Sequence, residues 1–434
     1  MNLPNNLIVN KSKPLIGPVK IPGDKSISHR SIILGSISSG VLKIKNFLNS
    51  DDCLATVSAM KLLGADITFE EDEIIINGIG LNGLKQPNVV IDAGNSGTLI
   101  RLLSGVLVSQ KFTSTLTGDD SLRKRPMARI IDPLVNYGAK IVSKNHKAPI
   151  VIDKCNGLSP IRYNQSIASA QVKSCLMLAA LFIEGESTFY ETIPTRDHTE
   201  NLLQHLNYKI DRSENSLSFK GRQTLIAKDI EIGSDISSAA FFIVAALIVD
   251  GSELLFRNVN INIYRTGLIT VLKNMGGNIS ISNTKLISNE LVGDIKVKHS
   301  KLQSINIDGA IIPSLIDELP ILFIACALAA GKSTISGIEE LRHKESDRIK
   351  SMEEGLKAIG IDVNSTEDSI EITGGKISGG KIKSYGDHRI AMSFAIAGLV
   401  AQKSITIIDT KNIATSFPTF TSLLREQGAE IFEV

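Results

Sequence analysis

The residues best suited to chemistry lie where apolar helices are predicted to begin. Within Pro22–Arg30, a glycine turn leads to Ser26 as the predicted helix cap, with Lys25 before it and Arg30 one turn further on. Free backbone N–H groups and the helix dipole favour anions at such a position. The segment therefore predicts a site for a phosphate or a carboxylate. A capped helix with two solvated cations explains this one segment equally well.

Similar motifs recur at later helix starts. Asp92–Thr98 has two glycines beside a predicted cap, which would let a ligand approach the backbone closely, and Arg101 follows. Leu122–Pro126 places three adjacent cations directly before a helix that a proline is predicted to start. The glycine turn alone also has a structural explanation, and one or two of the three cations could serve only solubility.

The remaining motifs combine hydroxyl, amide, acidic and basic groups. Ser169–Gln171 and Thr195–His198 carry polar side chains that suit a polyhydroxylated ligand, or equally a capped core helix. Asp317–Pro320, Leu341–Arg348 and Tyr385–Arg389 bring further charges to predicted helix starts. In the last of these, the aspartate could be a simple cap and the histidine a polar core residue.

The distribution of these motifs is more informative than any one of them. The formal net charge is only +2, yet cations gather at equivalent helix starts in both halves of the chain. If two domains face each other, this charge would be concentrated in one cleft, and closure of the cleft would exclude water. We therefore expect the ligands to be small and multiply anionic.

Composition excludes several classes of protein. Hydrophobic residues make up 43% and charged residues 21% of the 434, which is an ordinary globular mixture. The net charge of only +2 implies no general attraction to nucleic acid or membranes. The absence of Trp argues against base-stacking surfaces. The four cysteines are scattered, so we expect buried, reduced thiols rather than a metal site or a disulfide framework. No segment has the pattern of a signal peptide or a membrane span, which favours a cytoplasmic protein.

The elements that position these motifs form an internal repeat. An apolar helix rich in small residues occurs six times, and each copy is followed by a short strand, a two-faced helix that usually ends at a glycine, and two further strands. The predicted apolar helices are Ile27–Ser38, Ser96–Val108, Ala168–Phe182, Ile236–Val249, Glu318–Ala330 and His388–Ala401. The predicted two-faced helices are Asp51–Leu63, Pro126–Tyr137, His198–Leu206, Gly267–Met275, Ser346–Ile359 and Phe417–Gln427.

The repeat predicts an α/β fold of two domains, each built from three β-α-β-α-β-β units. Helices that are apolar nearly all round should be buried inside a domain, with the two-faced helices outside. We expect the first domain to span 20–230 and the second to comprise 1–19 plus 231–434. The last unit is expected to end without its closing strands, so that Leu7–Val19 supplies the missing pairing.

Taken in chain order, the motifs described above resemble the EPSP synthase family of enolpyruvyl transferases. The resemblance extends over nearly the full chain, and the motifs are specific as a set. It implies an inverse α/β barrel-like fold of two domains. It also implies transfer of enolpyruvyl from phosphoenolpyruvate to the 5-hydroxyl of 3-phosphoshikimate in the shikimate pathway of aromatic amino-acid biosynthesis, with release of phosphate.

The resemblance also implies a role for individual residues. Those expected to bind 3-phosphoshikimate are Lys25, Ser26, Arg30, Ser169, Ala170, Gln171, Arg196, Asp317 and Lys344. Those expected to bind phosphoenolpyruvate are Lys25, Gly97, Arg125, Gln171, Arg348 and Arg389. These residue types make physical sense because arginine forks match phosphates and carboxylates, and because Gly97 leaves room beside a small substrate.

Three of these residues are expected to be catalytic. Asp317 is the expected base for the 5-hydroxyl, helped by Lys25. Glu345 is the expected proton donor and acceptor at the methylene carbon, with Lys25 as the competing candidate. The cations would stabilise a tetrahedral intermediate and the departing phosphate. The resemblance implies no metal and no organic cofactor, and we expect a monomer that acts on small molecules.

The sequence departs from the family pattern near its C-terminus. Many members have a lysine where Thr415 stands, and Lys411 does not match that position. One contact to phosphoenolpyruvate is therefore missing from the motif set. Thr195–His198 also resembles a second subgroup of the family rather than the form with Ser and Tyr.

Two other functions remain as alternatives. The UDP-N-acetylglucosamine enolpyruvyl transferases share the fold and the donor, but usually have a cysteine in the loop that corresponds to Thr117–Arg125, which has none. A non-catalytic anion-binding protein of the same fold would not need Lys25, Asp317 and Glu345, all of which are present.

Overall fold

The computed structural model describes residues 5–166 and 168–434. They form two compact units. The central unit comprises Gly23–Gly233 and Leu286–Glu290, and the terminal unit comprises the chain up to Pro22, Ser234–Lys285 and Leu291–Val434. The chain thus changes unit close to the expected residues 19/20 and 230/231. The short return of Leu286–Glu290 to the central unit was not expected.

Twelve α-helices are present in the described residues, α1–α6 in the central unit and α7–α12 in the terminal unit. They are α1 Lys25–Ser36, α2 Asp51–Leu62, α3 Gly97–Leu107, α4 Ala128–Asn136, α5 Ala170–Ala180, α6 His198–His205, α7 Ile236–Ile248, α8 Gly267–Asn274, α9 Leu319–Leu328, α10 Arg348–Ala358, α11 His388–Gly398 and α12 Phe420–Glu426. Each corresponds to one predicted helix, with ends that differ by a few residues.

The strands of the central unit form three four-stranded sheets, numbered here in chain order and given in their order across each sheet. They are β14 (Ile230–Glu231), β3 (Ser39–Lys45), β5 (Glu73–Ile79) and β4 (Asp66–Glu70); β6 (Ile91–Asp92), β7 (Ser114–Thr117), β9 (Lys147–Ile152) and β8 (Ile141–Lys144); and β10 (Arg162–Asn164), β11 (Glu186–Tyr190), β13 (Ser216–Lys220) and β12 (Asp211–Arg212).

The terminal unit also has three four-stranded sheets. They are β2 (Ile16–Val19), β15 (Glu253–Asn260), β17 (Glu290–Lys298) and β16 (Asn278–Ile287); β18 (Asn306–Ile307), β19 (Lys332–Ser336), β21 (Ser369–Thr373) and β20 (Asp362–Ser365); and β22 (Gly380–Lys383), β23 (Ile405–Ile408), β1 (Asn6–Val9) and β24 (Ile431–Glu433). In all six sheets the first pair of strands is parallel and the second pair is antiparallel.

The two chain ends meet in one sheet. Strand β1 lies between β23 and β24, so that Leu7 is opposite both Ile407 and Glu433, while β2 pairs with β15 in a different sheet. The expectation that the last unit lacks closing strands is therefore wrong for β24, which the C-terminal residues form themselves. The segment was too short and too charged to predict as a strand from its pattern alone.

The apolar helices are buried as their composition predicts. Every residue of Ile236–Leu247 in α7 and of Leu319–Ala327 in α9 is buried. In the central unit α3 packs so closely on α5 that a Cβ on Gly105 would lie 2.0 Å from the carbonyl oxygen of Cys175. Only glycine permits this close approach of the two helices.

The two-faced helices end close to the glycines that were predicted to terminate them. Five of them are followed by a glycine with left-handed backbone, namely Gly64, Gly138, Gly276, Gly360 and Gly428. Asn207 takes this conformation after α6, with φ 60°. The four cysteines are buried and unpaired, as expected. No helix within the described residues has the length and apolar character needed to cross a membrane.

Candidate active site

The start of α1 places the first predicted site residues. Asp24, not Ser26, is the N-cap, because its carboxylate accepts a hydrogen bond from the backbone N–H of Ile27 at 3.0 Å. The prediction of a serine cap is therefore wrong. Lys25 is the first residue of the helix, and its Nζ lies 2.5 Å from the carboxylate of Asp52. This ion pair holds Lys25 beside the free N–H groups of the helix start.

Arg30 lies one turn into α1 and is only 3% exposed. Its guanidinium donates hydrogen bonds to the hydroxyls of Thr199 and Ser174, at 2.8 and 2.7 Å, and to the carbonyl of Ser26 at 2.9 Å. Burial lowers the pKa of Arg30 to about 10, although the carboxylate of Glu200 opposes the change. A cation held by neutral oxygens in this way has a strong electrostatic preference for an additional anion.

The starts of α3 and α5 and the side chain of Arg125 form one cluster. Gln171 accepts a hydrogen bond from Arg101 at 2.6 Å and donates one to Thr98 at 3.1 Å. A Cβ on Gly97 would lie 3.0 Å from Nη1 of Arg125 and 3.1 Å from Nη1 of Arg101. The glycine therefore allows two guanidinium groups to approach the N-terminus of α3, a suitable arrangement for a small anion.

The other predicted residues of the central unit lie on or beside α5 and α6. Ser169 is the N-cap of α5, and its hydroxyl accepts a hydrogen bond from the backbone N–H of Val172 at 3.4 Å. Ala170 is the first residue of that helix. Arg196 is half-buried and lies two residues before the start of α6. The three are thus carried by rigid helix starts or by the loop next to one.

The terminal unit supplies a second cluster around Arg348, the first residue of α10. Arg348 is 1% exposed and donates hydrogen bonds to Glu345 at 2.6 Å and to Asp387 at 2.8 and 3.3 Å. Burial alone would lower the pKa of Arg348, but Asp387 and Glu345 outweigh it, so that its pKa lies above the ordinary value. Asp387 also caps α11, one of the two interpretations that the sequence allowed, by accepting a hydrogen bond from the backbone N–H of Arg389 at 2.9 Å.

Asp317, Lys344 and Arg389 lie in the same unit. The carboxylate of Asp317 is 3.9 Å from Nζ of Lys344, and its backbone carbonyl accepts a hydrogen bond from Arg389 at 2.6 Å. Arg389 also lies 3.4 Å from the buried carboxylate of Glu318. Burial lowers the pKa of Lys344, and the nearby carboxylates of Asp317 and Glu340 only partly offset this. The cluster combines a carboxylate suited to proton transfer with two cations suited to an anion.

The comparison with known proteins decides the family. A family model described as "EPSP synthase (3-phosphoshikimate 1-carboxyvinyltransferase)" matches residues 9–424. The chain belongs to the EPSP synthase family. The 3-phosphoshikimate 1-carboxyvinyltransferase of Ruthia magnifica subsp. Calyptogena magnifica is 48% identical over 429 residues, which cover 98% of this chain and 99% of the relative. The enzyme of the same name from Legionella pneumophila subsp. pneumophila (strain Philadelphia 1) is 48% identical over 413 residues, 94% of this chain and 95% of the relative.

A solved EPSP synthase from Acinetobacter baumannii has the same fold. It is 44% identical, and the structures match with a TM-score of 0.88 over 99% of both chains. The predicted α/β fold class and the predicted family are therefore confirmed. The assignment of single residues to the substrates of EPSP synthases stays a prediction, and so does the expectation that two domains face each other across a cleft.

Several residues that contact the predicted site residues have no predicted role of their own. The motifs identify Arg101 only as a residue that follows a glycine turn, and Glu318 only as part of a charged segment. Asp52 was predicted only as the second residue of a helix. Their partners are 27 to 71 residues away in the sequence, as Lys25 is from Asp52 and Arg389 is from Glu318. No local pattern signals such pairs.

The departure from the EPSP synthase pattern at Thr415 is visible in the structure. Thr415 is buried, and its hydroxyl donates a hydrogen bond to the carbonyl of Asn412 at 2.7 Å within its own turn. Lys411 is exposed at the start of that turn. Asn412 in turn donates to the carbonyl of Gly386, next to the Asp387 cap. The segment is thus tied to the start of α11 without a buried lysine.

Proposed function

We propose that the chain transfers the enolpyruvyl group of phosphoenolpyruvate to the 5-hydroxyl of 3-phosphoshikimate and releases phosphate. The match to the EPSP synthase family over residues 9–424 carries this proposal. The cationic helix starts of both units support it, because the two substrates are small and multiply anionic. The place of the reaction is the shikimate pathway of aromatic amino-acid biosynthesis.

The central unit is proposed to bind both substrates through its helix starts. Lys25, Ser26 and Arg30 of α1 and the cap of α5 serve 3-phosphoshikimate, together with Arg196. Gly97, Arg125 and Gln171 serve phosphoenolpyruvate. Support comes from the guanidinium pair beside Gly97, which matches a small dianion, and from the neutral hydroxyls that hold Arg30.

The terminal unit is proposed to supply the proton chemistry. Asp317 accepts the proton of the 5-hydroxyl as its oxygen attacks C2 of phosphoenolpyruvate, and Glu345 protonates the methylene carbon. The product of this addition is a tetrahedral intermediate that carries both oxygens on C2. Glu345 then takes a proton back from the new methyl group as the C2–O bond to phosphate breaks, which forms the enol ether and releases phosphate. Lys25 remains the competing candidate for the protonation step.

The cations of both units are proposed to stabilise the charge that develops in this sequence. Arg348 and Arg389 have fixed positions because carboxylates and a backbone carbonyl hold them, and Lys344 lies 3.9 Å from the carboxylate of Asp317. Groups that are already oriented need no reorganisation during the reaction, which is the main source of electrostatic catalysis. None of these steps uses a metal. Within residues 5–166 and 168–434, no group of three or more His, Cys, Asp or Glu side chains is arranged to hold one.

The test is release of phosphate from phosphoenolpyruvate by the purified protein. We expect release only when 3-phosphoshikimate is also present, and none when UDP-N-acetylglucosamine replaces it. Release with the nucleotide sugar would refute the proposal in favour of the rival transferase. Absence of release with either acceptor, from folded protein, would favour a non-catalytic anion-binding protein.

Two variants test the assigned roles. Lys25→Met should abolish turnover, and near-normal activity would remove Lys25 from the mechanism. Asp317→Ala should leave binding of both substrates intact while slowing turnover by about 100-fold or more, the usual effect of losing a general base. Asp250→Ala, at a carboxylate that is 97% exposed in the same unit, is the matched control and should retain full activity. Weakened binding with preserved turnover in Asp317→Ala would refute its role as base.

We also propose that the chain acts as a monomer and without nucleic acid. The net charge of +2 supports the second point, since no large positive field is available to attract a polyanion. Light scattering behind a sizing column tests the first point, and a mass twice that of the chain would refute it.

A further inference from the structure

A lysine is buried in the central unit between two carboxylates, outside the residues assigned so far. Lys173 lies on α5, two residues after Gln171, and its side chain is 2% exposed. Its Nζ is 2.7 Å from Glu200 of α6 and 2.8 Å from Glu191, which directly follows β11. Burial lowers the pKa of Lys173, but Glu200 and Glu191 more than offset this, so that its pKa is raised and its charge is secure.

This cluster holds the residue next to Arg196. Glu191 accepts hydrogen bonds from the backbone N–H of Thr195 at 3.1 Å and from its hydroxyl at 2.6 Å. Lys173 itself donates to the carbonyl of Thr195 at 3.4 Å. Hydrogen bonds therefore hold both the backbone N–H and the backbone carbonyl of Thr195, while residues 192–194 of the same loop are exposed.

Stability alone does not explain three charges at this place. Replacing a buried ion cluster by apolar side chains of similar volume is often neutral or stabilising, because burial of charges is unfavourable. What an apolar cluster would lack is the fixed geometry that charged hydrogen bonds give to the loop. Here that geometry fixes the backbone of Thr195, the residue before Arg196, relative to α5, which begins beside Ser169.

We propose that Lys173 is a positioning residue for 3-phosphoshikimate: through Glu191 and Thr195 it holds Arg196 in place relative to the start of α5. The inference rests on the proposed function and deepens it. Lys173 is proposed to act without touching the substrate, so it is not a catalytic residue. Its effect should therefore be confined to one substrate and should depend on Arg196.

The first test compares the two substrates in Lys173→Met. We expect the KM for 3-phosphoshikimate to rise by about 10-fold, the size of effect that follows the loss of a charged hydrogen bond. The KM for phosphoenolpyruvate should change by less than about 2-fold. A purely structural role would lower the amount of active enzyme and the apparent kcat but leave both KM values unchanged, and that result would overturn the proposal.

The second test is a double-mutant cycle with Arg196→Gln. If Lys173 acts through Arg196, Lys173→Met should raise the KM for 3-phosphoshikimate by less than about 2-fold once Arg196 is gone. An undiminished 10-fold effect in that background would overturn the proposal. Gln165→Ala is the matched control, because Gln165 makes two hydrogen bonds to Ile193 in the same exposed loop. A rise in KM as large as that of Lys173→Met would show general loosening of the loop and would also overturn it.

A third variant is needed in case Lys173→Met folds poorly, since it leaves the buried carboxylate of Glu200 and the partly buried one of Glu191 without their cation. Lys173→Met/Glu200→Gln removes one charge of each sign and still lacks the tether to Thr195. A KM for 3-phosphoshikimate above that of Glu200→Gln alone supports the proposal, and a KM equal to that of Glu200→Gln overturns it, because Lys173 would then only balance charge. Wild-type protein without activity would instead refute the proposed function, so the two failures are distinguishable.

Discussion

Two arginines, one in each unit, are equally buried but have opposite surroundings. Arg30 in the central unit is 3% exposed and is held by two hydroxyls and a backbone carbonyl. Arg348 in the terminal unit is 1% exposed and is held by two carboxylates. Burial lowers the pKa of Arg30 to about 10, whereas the carboxylates raise the pKa of Arg348 despite its burial.

This difference in hydrogen-bond partners indicates different roles for the two arginines, although both lie in similar cationic motifs of the sequence. A cation with neutral partners keeps its charge available, so an incoming phosphate or carboxylate gains most of the interaction. A cation between two carboxylates is already partly compensated, and its loss would also leave those carboxylates without their cation. We therefore expect loss of Arg30 to affect ligand affinity most, and loss of Arg348 to affect the stability of its unit most.

The largest expected effect is on folding. Arg348→Met leaves the carboxylates of Glu345 and Asp387 without their buried cation, and should lower the free energy of unfolding by about 3–5 kcal/mol. Chemical denaturation followed by circular dichroism measures this. Arg257→Met is the matched control in the same unit, because Arg257 is 67% exposed and lies 3.6 Å from Asp294. It should change stability by less than about 1 kcal/mol. Equal losses in the two variants would contradict the comparison.

The hydrogen-bond partners of Arg348 could be predicted from the sequence only in part. Asp387 was predicted as a possible cap of α11, and it is one. Its hydrogen bonds to Arg348, 39 residues earlier, depend on the starts of α10 and α11 lying side by side, which local patterns do not encode. The same holds for β1, whose place between β23 and β24 joins residues from opposite ends of the chain.

The helices themselves were predictable because their signals are local. Apolar residues at helical spacing and a following glycine occur within each segment, so every predicted helix is present. The predicted cap of α1 was wrong because Asp24 and Ser26 are both residue types that favour a helix N-cap. They lie two residues apart, and this offset decides which backbone N–H groups the side chain reaches. Type and spacing of residues therefore predicted the cationic helix starts, but not which cations have carboxylate partners.

The next effect in size concerns ligand affinity in the central unit. Arg30→Met should weaken binding of 3-phosphoshikimate by about 10- to 100-fold, because a charge whose hydrogen-bond partners are all neutral is removed. The free energy of unfolding should fall by less than about 2 kcal/mol, since only hydrogen bonds to neutral groups are lost. Titration calorimetry with 3-phosphoshikimate measures the affinity, and Arg162→Met at an exposed strand position is the control. Unchanged affinity together with a large loss of stability would make Arg30 resemble Arg348 and would break the distinction.

Lys344 lies between Arg30 and Arg348 in how closely carboxylates approach its charge. Its Nζ is 3.9 Å from carboxylate oxygens of both Asp317 and Glu340, farther than the 2.6 and 2.8 Å contacts of Arg348. Burial, although incomplete because 23% of the side chain is exposed, lowers the pKa of Lys344, and these distant carboxylates offset it only in part. The side chain should therefore behave more like Arg30, with a charge that a bound anion completes.

The consequence is a dependence of affinity on pH. Because the pKa of Lys344 is lowered, the lysine loses its proton below the pH range of an ordinary lysine, and only the protonated form attracts an anion. Affinity for 3-phosphoshikimate should therefore begin to fall at a lower pH than the titration range of an ordinary lysine, whose pKa is about 10.4. Lys344→Arg, which stays charged, should flatten the profile, whereas Lys350→Arg at an exposed position should not change it. A wild-type profile that is already flat would mean that carboxylates at 3.9 Å compensate Lys344 as fully as the closer ones compensate Arg348.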